Sequence, residues 1–376
     1  MLCTLLSTLI AASPISTWMQ TPYPAADGFD YPLGDADGRG AYTAPDGRRH
    51  VGFRVSTTFN ERYSLGLHPG EDWNGKGGGN SDLGLPVHSV AAGRVVFAGL
   101  VPGPWGKVVM VEHTYFENHR RRVIQSSYAH LDRIDVAVGQ VLKRRARIGT
   151  VGQDPDRKYS AHLHLELRSD LELVPNYWPS SHDRSAHWIR KHYLPPSEFI
   201  AEHRALFVPA KEATLVVVHQ GSHALQVFQR GRSVWRTEVG FGQEPGRKRR
   251  QGDLKTPRGM YFVTAKSKGP FTGKYGAYYG GHWIKVNYPN AWDAEYGVSQ
   301  GWLKEAAAQR IRRRWKQRKL TSQKTPLGGG IGFHGWAGPW SWQDTGWLSW
   351  GCVVLHNEDV GRLYNYVQPG AMVVLL

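Results

Sequence analysis

Cysteine is nearly absent from this chain: there are two in 376 residues, Cys3 and Cys352. That count excludes a fold stapled by several disulfides. Cys3 sits in a short apolar leader, so removal of the leader would leave Cys352 as the one thiol of the mature protein. A lone thiol is a liability in an oxidising compartment unless it has a task; the plainer alternative is an inert core cysteine. Acidic residues are also in short supply. Asp and Glu number 31 against 47 Lys and Arg, giving a formal net charge of +16 and a pI near 9.8. Such a surface favours polyanionic partners, nucleic acid or a carboxylate-bearing polymer alike. No zinc-finger, helix-turn-helix or RNA-recognition signature accompanies the charge, so nucleic acid is not an expected partner. Long apolar runs are missing as well. Met1 to Ser13 is apolar and closes on Ala11-Ala12-Ser13, as a secretory signal peptide does, though without a basic start. It is too short to cross a bilayer, and no later segment is long and apolar enough to do so.

What is present is a globular composition, 40% hydrophobic and 21% charged, with 15 Trp and 17 Tyr. The length suffices for two domains, each with its own core. Residues 14–44, rich in Pro, Gly, Asp and Ala, read as a linker. From about His50 to Arg168, short strand patterns such as Lys107-Val108-Val109-Met110-Val111 alternate with Gly/Pro turns, which predicts an antiparallel β domain. A Pro-rich stretch, 170–203, leads into a short helix near Ser197–Arg204 with Ser197 as its N-cap. A second β pattern starts at Ala213 and ends with Ala371 to Leu376. Within it, Trp302 to Lys319 reads as one strongly basic helix, either a solvated face or a contact for an anionic polymer. The expected organisation is therefore a signal peptide (1–13), a linker (14–44) and two mainly β domains, 45–207 and 208–376.

Two histidines spaced by one residue on a strand share a face, so His162 and His164 project into one space. His68-Pro69-Gly70-Glu71-Asp72 adds an imidazole and a carboxylate on what Pro-Gly marks as a tight loop. Imidazole and carboxylate ligands suit Zn²⁺, and a catalytic zinc keeps three protein ligands and one open position. His130, in Ser127-Tyr128-Ala129-His130-Leu131, is available for proton transfer. These words, with Gly84-Leu85-Pro86-Val87, Ala92-Gly93-Arg94-Val95 and Trp105-Gly106-Lys107-Val108-Val109, resemble the LytM/lysostaphin-type zinc endopeptidases over about Gly52 to Leu206. The resemblance implies His68, Asp72 and His164 as zinc ligands. His130 and His162 would be the catalytic pair that places water and stabilises the oxyanion. The Gly-rich stretch Asn74 to Asn80 is expected to flank the cleft, and His113 to be structural.

The second set lies near the C-terminus. Cys352 sits in Ser349-Trp350-Gly351-Cys352-Val353-Val354, and His334 in Gly332-Phe333-His334-Gly335. A thiolate is a nucleophile, and a neighbouring imidazole can take its proton. With Gly252-Asp253-Leu254-Lys255-Thr256-Pro257-Arg258-Gly259, Asn287-Tyr288-Pro289-Asn290 and Asn357-Glu358-Asp359, these segments resemble the YkuD-type L,D-transpeptidases from about Thr214 to the end. The resemblance implies a β-sandwich-like domain with Cys352 as nucleophile and His334 as base. Ser349 would help orient that histidine through its backbone, and Gly351 and Cys352 would supply oxyanion N–H groups. Val354 stands where the family commonly has arginine. Together the two resemblances imply an exported enzyme of the periplasm, envelope or extracellular space. It would act on peptidoglycan by zinc-dependent peptide hydrolysis and cysteine-dependent L,D-transpeptidation or carboxypeptidation. The alternatives are a purely lytic hydrolase whose second domain only binds or hydrolyses, and a non-catalytic wall-binding regulator.

Overall fold

The computed structural model of the chain describes residues 15–153, 159–336, 338–341 and 347–376; the expected signal peptide lies outside them. The chain is mainly β and falls into two compact units, one comprising Thr21–Glu117 and Arg121–Val208, the other built on Pro209–Leu376.

A ten-stranded antiparallel sheet organises the first unit. Its main path runs Val141–Leu142, Gly93–Val101, Gly106–Glu117, Arg120–Ile134, Leu163–Arg168, Glu71–Gly75 and Phe53–Thr57. Strand alternation sorts the side chains of Leu163–Arg168 into two sets. Leu163, Leu165 and Leu167 enter the main apolar core, while His164, Glu166 and Arg168 occupy the other face and are buried there too. Residues 14–44, expected to be a linker, instead give Ala26, Phe29, Leu33 and Tyr42 to that core. The Pro/Gly/Asp-rich composition disguised these few apolar anchors, because isolated anchors show no period. The expected helix at 197–204 runs Pro196–Glu202, with Pro195 at its N-cap and no side-chain cap. Proline at the first helical position sets the start. Ser197 is therefore inside the helix, and its hydroxyl donates to Glu71 Oε2 at 2.5 Å rather than capping.

An eight-stranded sheet forms the second unit. Its order is Arg232–Glu238, Ala224–Gln229, Thr214–His219, Met372–Leu375, Gly259–Lys268, His282–Val286, Gly332–His334 and Val353–Val354. The last strand of the chain lies in the middle of this order, parallel to the first strand of the unit. Gly332–His334 and Val353–Val354 are also parallel, with Phe333 opposite Val353 and His334 opposite Val354. The basic helix expected over 302–319 is one helix with shorter bounds, Glu305–Lys316, and a separate helix precedes it. Ala291–Ser299 starts from a capping box made by Asn290 and Asp293, and Glu305–Lys316 carries most of the basic residues. Gly301, in the left-handed region, breaks the chain between them, so Trp302 lies in the connection. Ala308, Ile311 and Trp315 bury one stripe of the basic helix, and Arg310, Arg313 and Arg314 are exposed.

Candidate active sites

In the first unit, register builds the site. Asp72 pairs directly with His164 across neighbouring strands, and His164 pairs with Ala129 on its other side. Directly opposed residues share a face with Cβ atoms about 5 Å apart, so the Asp72 carboxylate reaches the His164 ring. The contact is 2.9 Å, from Asp72 Oδ1 to His164 Nδ1. His68 joins from the bend before the strand: its Nε2 lies 3.1 Å from Asp72 Oδ1 and 3.0 Å from His164 Nδ1. Pro69-Gly70 makes that bend, and a Cβ at Gly70 would sit 2.3 Å from the Leu165 carbonyl. Asp72 itself belongs to the strand Glu71–Gly75, not to the loop in which it was expected.

Beyond this triangle lies the second histidine pair. Regular alternation would turn His130 to the face opposite Ala129. Instead its φ of +59° and a register shift just after it swing the ring into the site. The cost of such a backbone is of order 1–3 kcal/mol and is met by surrounding contacts: the His130 carbonyl accepts from Gly152 N–H at 2.8 Å. His130 and His162 rings are 4.7 Å apart. Burial pushes His130 well below the ordinary histidine pKa, with His162 and His164 adding to the effect, so it rests neutral.

His164 is held from behind. Its Nε2 contacts Glu166 Oε1 at 3.1 Å, and Arg168 Nε donates to Glu166 Oε2 at 2.6 Å. Arg168 is fully buried and also donates to the carbonyls of Leu173, Val174 and Pro175. Sequence reasoning passed over Glu166 and Arg168, although the alternation that paired His162 with His164 places both on the same face. Burial opposes charge on Asp72, but hydrogen bonds from His164 and His68 outweigh it and hold the carboxyl well below its ordinary pKa. Burial also opposes charge on His164, yet Asp72 and Glu166 raise its pKa to about 9. Two imidazole nitrogens and a carboxylate oxygen thus converge on one point with only protons to separate them. Their spacing of 2.9–3.1 Å is near the ~3.3 Å edge of a tetrahedron with ~2.0–2.1 Å bonds, so the donor set fits a small divalent cation such as Zn²⁺.

The triangle opens into a cleft of about 530 Å³. Its walls are Tyr63, Trp105, Tyr159, Asn176 and Trp178, with His130 and His162 inside. The Gly-rich stretch at 74–80, expected to flank the cleft, does not line it. Its Asn80 accepts from Ala161 N–H at 2.8 Å and so fastens the strand that presents His162. His113 is remote and fully buried, between the Ala92 carbonyl (2.9 Å) and the Ser126 hydroxyl (2.7 Å).

In the second unit the parallel register brings the nucleophile candidate to the histidine. His334 is opposite Val354, and Cys352, two residues before Val354, shares its face. Both line a cavity of about 470 Å³ with Tyr278, Tyr279, Trp283 and Trp336. His334 Nδ1 donates to the Gly335 carbonyl at 2.7 Å, so the residue after the histidine helps orient it. Ser349 organises the turn before the cysteine. Its hydroxyl donates to the Cys352 carbonyl at 2.6 Å and accepts from Gly351 N–H at 3.0 Å. Serine hydroxyls bond nearby backbone in this way in turns. The Gly351 N–H, expected to face an oxyanion, is therefore engaged by Ser349. Gly351 itself is required: φ is +127° and a Cβ would lie 2.7 Å from the Lys255 carbonyl. Burial pushes the Cys352 thiol up to about 11, with Gly332 and Lys248 offsetting only part. Burial also lowers His334. The resting pair is thus thiol and neutral imidazole.

Comparisons with known proteins agree with this division. Residues 67–175 match the family model for Peptidase family M23, and residues 213–375 match that for the L,D-transpeptidase catalytic domain, YkuD. The chain thus holds an M23 peptidase domain followed by a YkuD L,D-transpeptidase domain. Lipoprotein NlpD of Yersinia enterocolitica is 31% identical over 85 residues, which are 23% of this chain and 78% of that protein. Among solved structures, a zinc-containing peptidase from Vibrio cholerae matches at 24% identity and a TM-score of 0.25, over 34% of this chain and 43% of that one. The catalytic domain of lysostaphin from Staphylococcus simulans matches at 19% identity and a TM-score of 0.28, over 40% and 92%. The chain spans less than half the length of the Vibrio cholerae protein. Among the described residues no helix is long and apolar enough to cross a membrane.

Proposed function

We propose that this is an exported peptidoglycan-remodelling enzyme with two independent chemistries, a zinc endopeptidase and a cysteine L,D-transpeptidase. The observation that carries the reading is the cross-strand register that converges His68, Asp72 and His164 at the foot of a cleft holding two further histidines. These three residues would hold Zn²⁺, which when bound supplies Lewis-acid polarisation of a peptide carbonyl and of water. The chain's own part is to fix the donors, orient a water between His130 and His162, and bind an extended peptide against Tyr63, Trp105 and Trp178.

In the second domain Cys352 attacks the carbonyl of a stem-peptide residue. Its proton passes to His334, whose Nδ1–H remains on the Gly335 carbonyl. A thioester forms, the amide to the terminal D-residue breaks, and the departing amine takes the proton from His334. An acceptor amine, or water in the carboxypeptidase variant, then cleaves the thioester and restores the thiol. The apolar first 13 residues and a wall substrate outside the cytoplasm support export. Mass spectrometry of muropeptides after incubation with the intact protein, with Cys352→Ala and with His164→Ala tests the reading. Loss of one product class with each variant is expected. Unchanged muropeptides with the zinc-loaded intact chain would sink it in favour of a non-catalytic wall binder.

A further inference from the structure

Two neighbouring residues, Tyr159 and Ser160, touch the two histidines of the peptidase cleft in a way that decides where their protons sit. The Tyr159 hydroxyl lies 2.7 Å from the Pro104 carbonyl and 3.0 Å from His130 Nδ1. A carbonyl oxygen can only accept, and a tyrosine has one proton to give. The proton therefore goes to Pro104, whose carbonyl is also within reach of the His130 ring, and the tyrosine oxygen accepts from a protonated His130 Nδ1. Were the imidazole the acceptor instead, two lone pairs would face each other across 2.7 Å. One residue further on, the Ser160 carbonyl lies 2.9 Å from His162 Nδ1 and fixes that proton by the same logic. Both rings then keep Nε2 as a lone pair. A water between them can donate one O–H to each, leaving its own lone pairs for attack.

We propose that Tyr159 is a positioning residue that locks His130 in its Nδ1–H tautomer, so that His130 enters the reaction as a proton acceptor rather than an oxyanion donor. This rests on the peptidase reading of the cleft. Tyr159 transfers no proton itself: its hydrogen stays on Pro104 while His130 Nε2 takes one from water and becomes an imidazolium still bonded through Nδ1. The ring geometry supports the lock. Tyr159 lies 5.0 Å from His130 and 5.0 Å from His162, centroid to centroid, so it also braces the pair against each other. The left-handed backbone of His130 and the bond from Gly152 N–H to its carbonyl fix the other end of the residue.

The test is Tyr159→Phe in the zinc-loaded full chain, which keeps the ring and removes only the hydroxyl. Nitrogen NMR of histidine-labelled protein, with the His130 signals assigned by their loss in His130→Gln, reads the tautomer directly. The wild type is expected to carry the proton on Nδ1, and Tyr159→Phe to shift it partly to Nε2. On a soluble cross-linked stem-peptide dimer, kcat is expected to fall about 2- to 12-fold with KM unchanged, the factor one ordinary hydrogen bond is worth. A wild-type proton on Nε2, an unmoved tautomer in Tyr159→Phe, or a moved tautomer with unchanged kcat would each overturn the proposal. A wild type with the expected tautomer but no cleavage would instead sink the peptidase reading and leave the Tyr159 contact standing.

Discussion

At the scale of single residues, the proposed function separates the peptidase site into groups that would hold a metal and groups that would move protons. His164→Ala removes one corner of the donor triangle, and zinc is expected to be lost from the protein. His130→Gln leaves the triangle intact, so zinc is expected to stay while peptide cleavage disappears. Stoichiometric zinc in His164→Ala, measured by atomic absorption, would contradict the assignment. Glu166 belongs to neither set, but it fixes His164 with Nε2 toward itself and Nδ1 toward Asp72. Groups that orient a ligand in this way typically matter by about 10–100-fold in metal affinity. Glu166→Gln is expected to weaken zinc binding by that order, read by competition with a chelating dye. On the thiol side, the half-buried Cys352 is protonated at neutral pH, its pKa pushed up to about 11 by desolvation. Alkylation by iodoacetamide should therefore keep accelerating from pH 8 to 10 instead of levelling near 8.5. A plateau by pH 8 would mean that His334 already holds the proton in the resting state.

At the scale of elements, what could be read in advance was what strand period and short motifs encode. Alternation along His162-Leu163-His164-Leu165 placed both imidazoles on one face, and the structure keeps them there. Asp72 was a candidate from spacing alone, but its partner is set by the register between Glu71–Gly75 and Leu163–Arg168, which no local pattern reveals. His130 was legible as a candidate, yet its entry to the site depends on a left-handed backbone in mid-strand. Tyr159 carried no sequence signal at all, because its meaning comes from Pro104, fifty-five residues away. Ser349 was expected to orient the histidine through its backbone; the fold sets its carbonyl on Gln243 N–H and its hydroxyl on the turn that carries Gly351 and Cys352. That turn is tight enough to test. Gly351→Ala adds a Cβ at φ +127° against the Lys255 carbonyl, so the second domain is expected to lose stability by more than ~1 kcal/mol, measured by denaturant unfolding. His113 makes the matching test in the first domain. Burial lowers its pKa to about 4 from an ordinary 6.5, so the unfolded chain binds a proton in that window and the folded one does not. Stability is then fully present above about 6.5 and falls as pH drops toward 4, by about 3 kcal/mol from this residue. His113→Gln should flatten that part of the acid-unfolding curve.

At the scale of the whole molecule, the question is whether one chain runs two chemistries without either needing the other. Every residue of the donor triangle, its histidine pair and its cleft walls lies between Tyr63 and Ser181. Every residue lining the thiol cavity lies between Gln243 and Cys352. The two sets come from different sheets with separate cores, so neither fold needs the other's strands. Their chemical demands also differ. Under the proposed function, the first would need a cation among two imidazoles and a carboxylate; the second would need a neutral imidazole to accept a thiol proton, and no metal. Chelation is therefore expected to abolish peptide cleavage and leave the formation of a Cys352 acyl adduct unchanged. Cys352→Ala should do the reverse. Intact-mass spectrometry after incubation with a stem tetrapeptide reads the adduct, and muropeptide analysis of the same samples reads cleavage. Loss of the adduct on chelation, with circular dichroism showing the second domain still folded, would mean that the thiol site depends on the metal site and that the independence argued from the two linings is wrong.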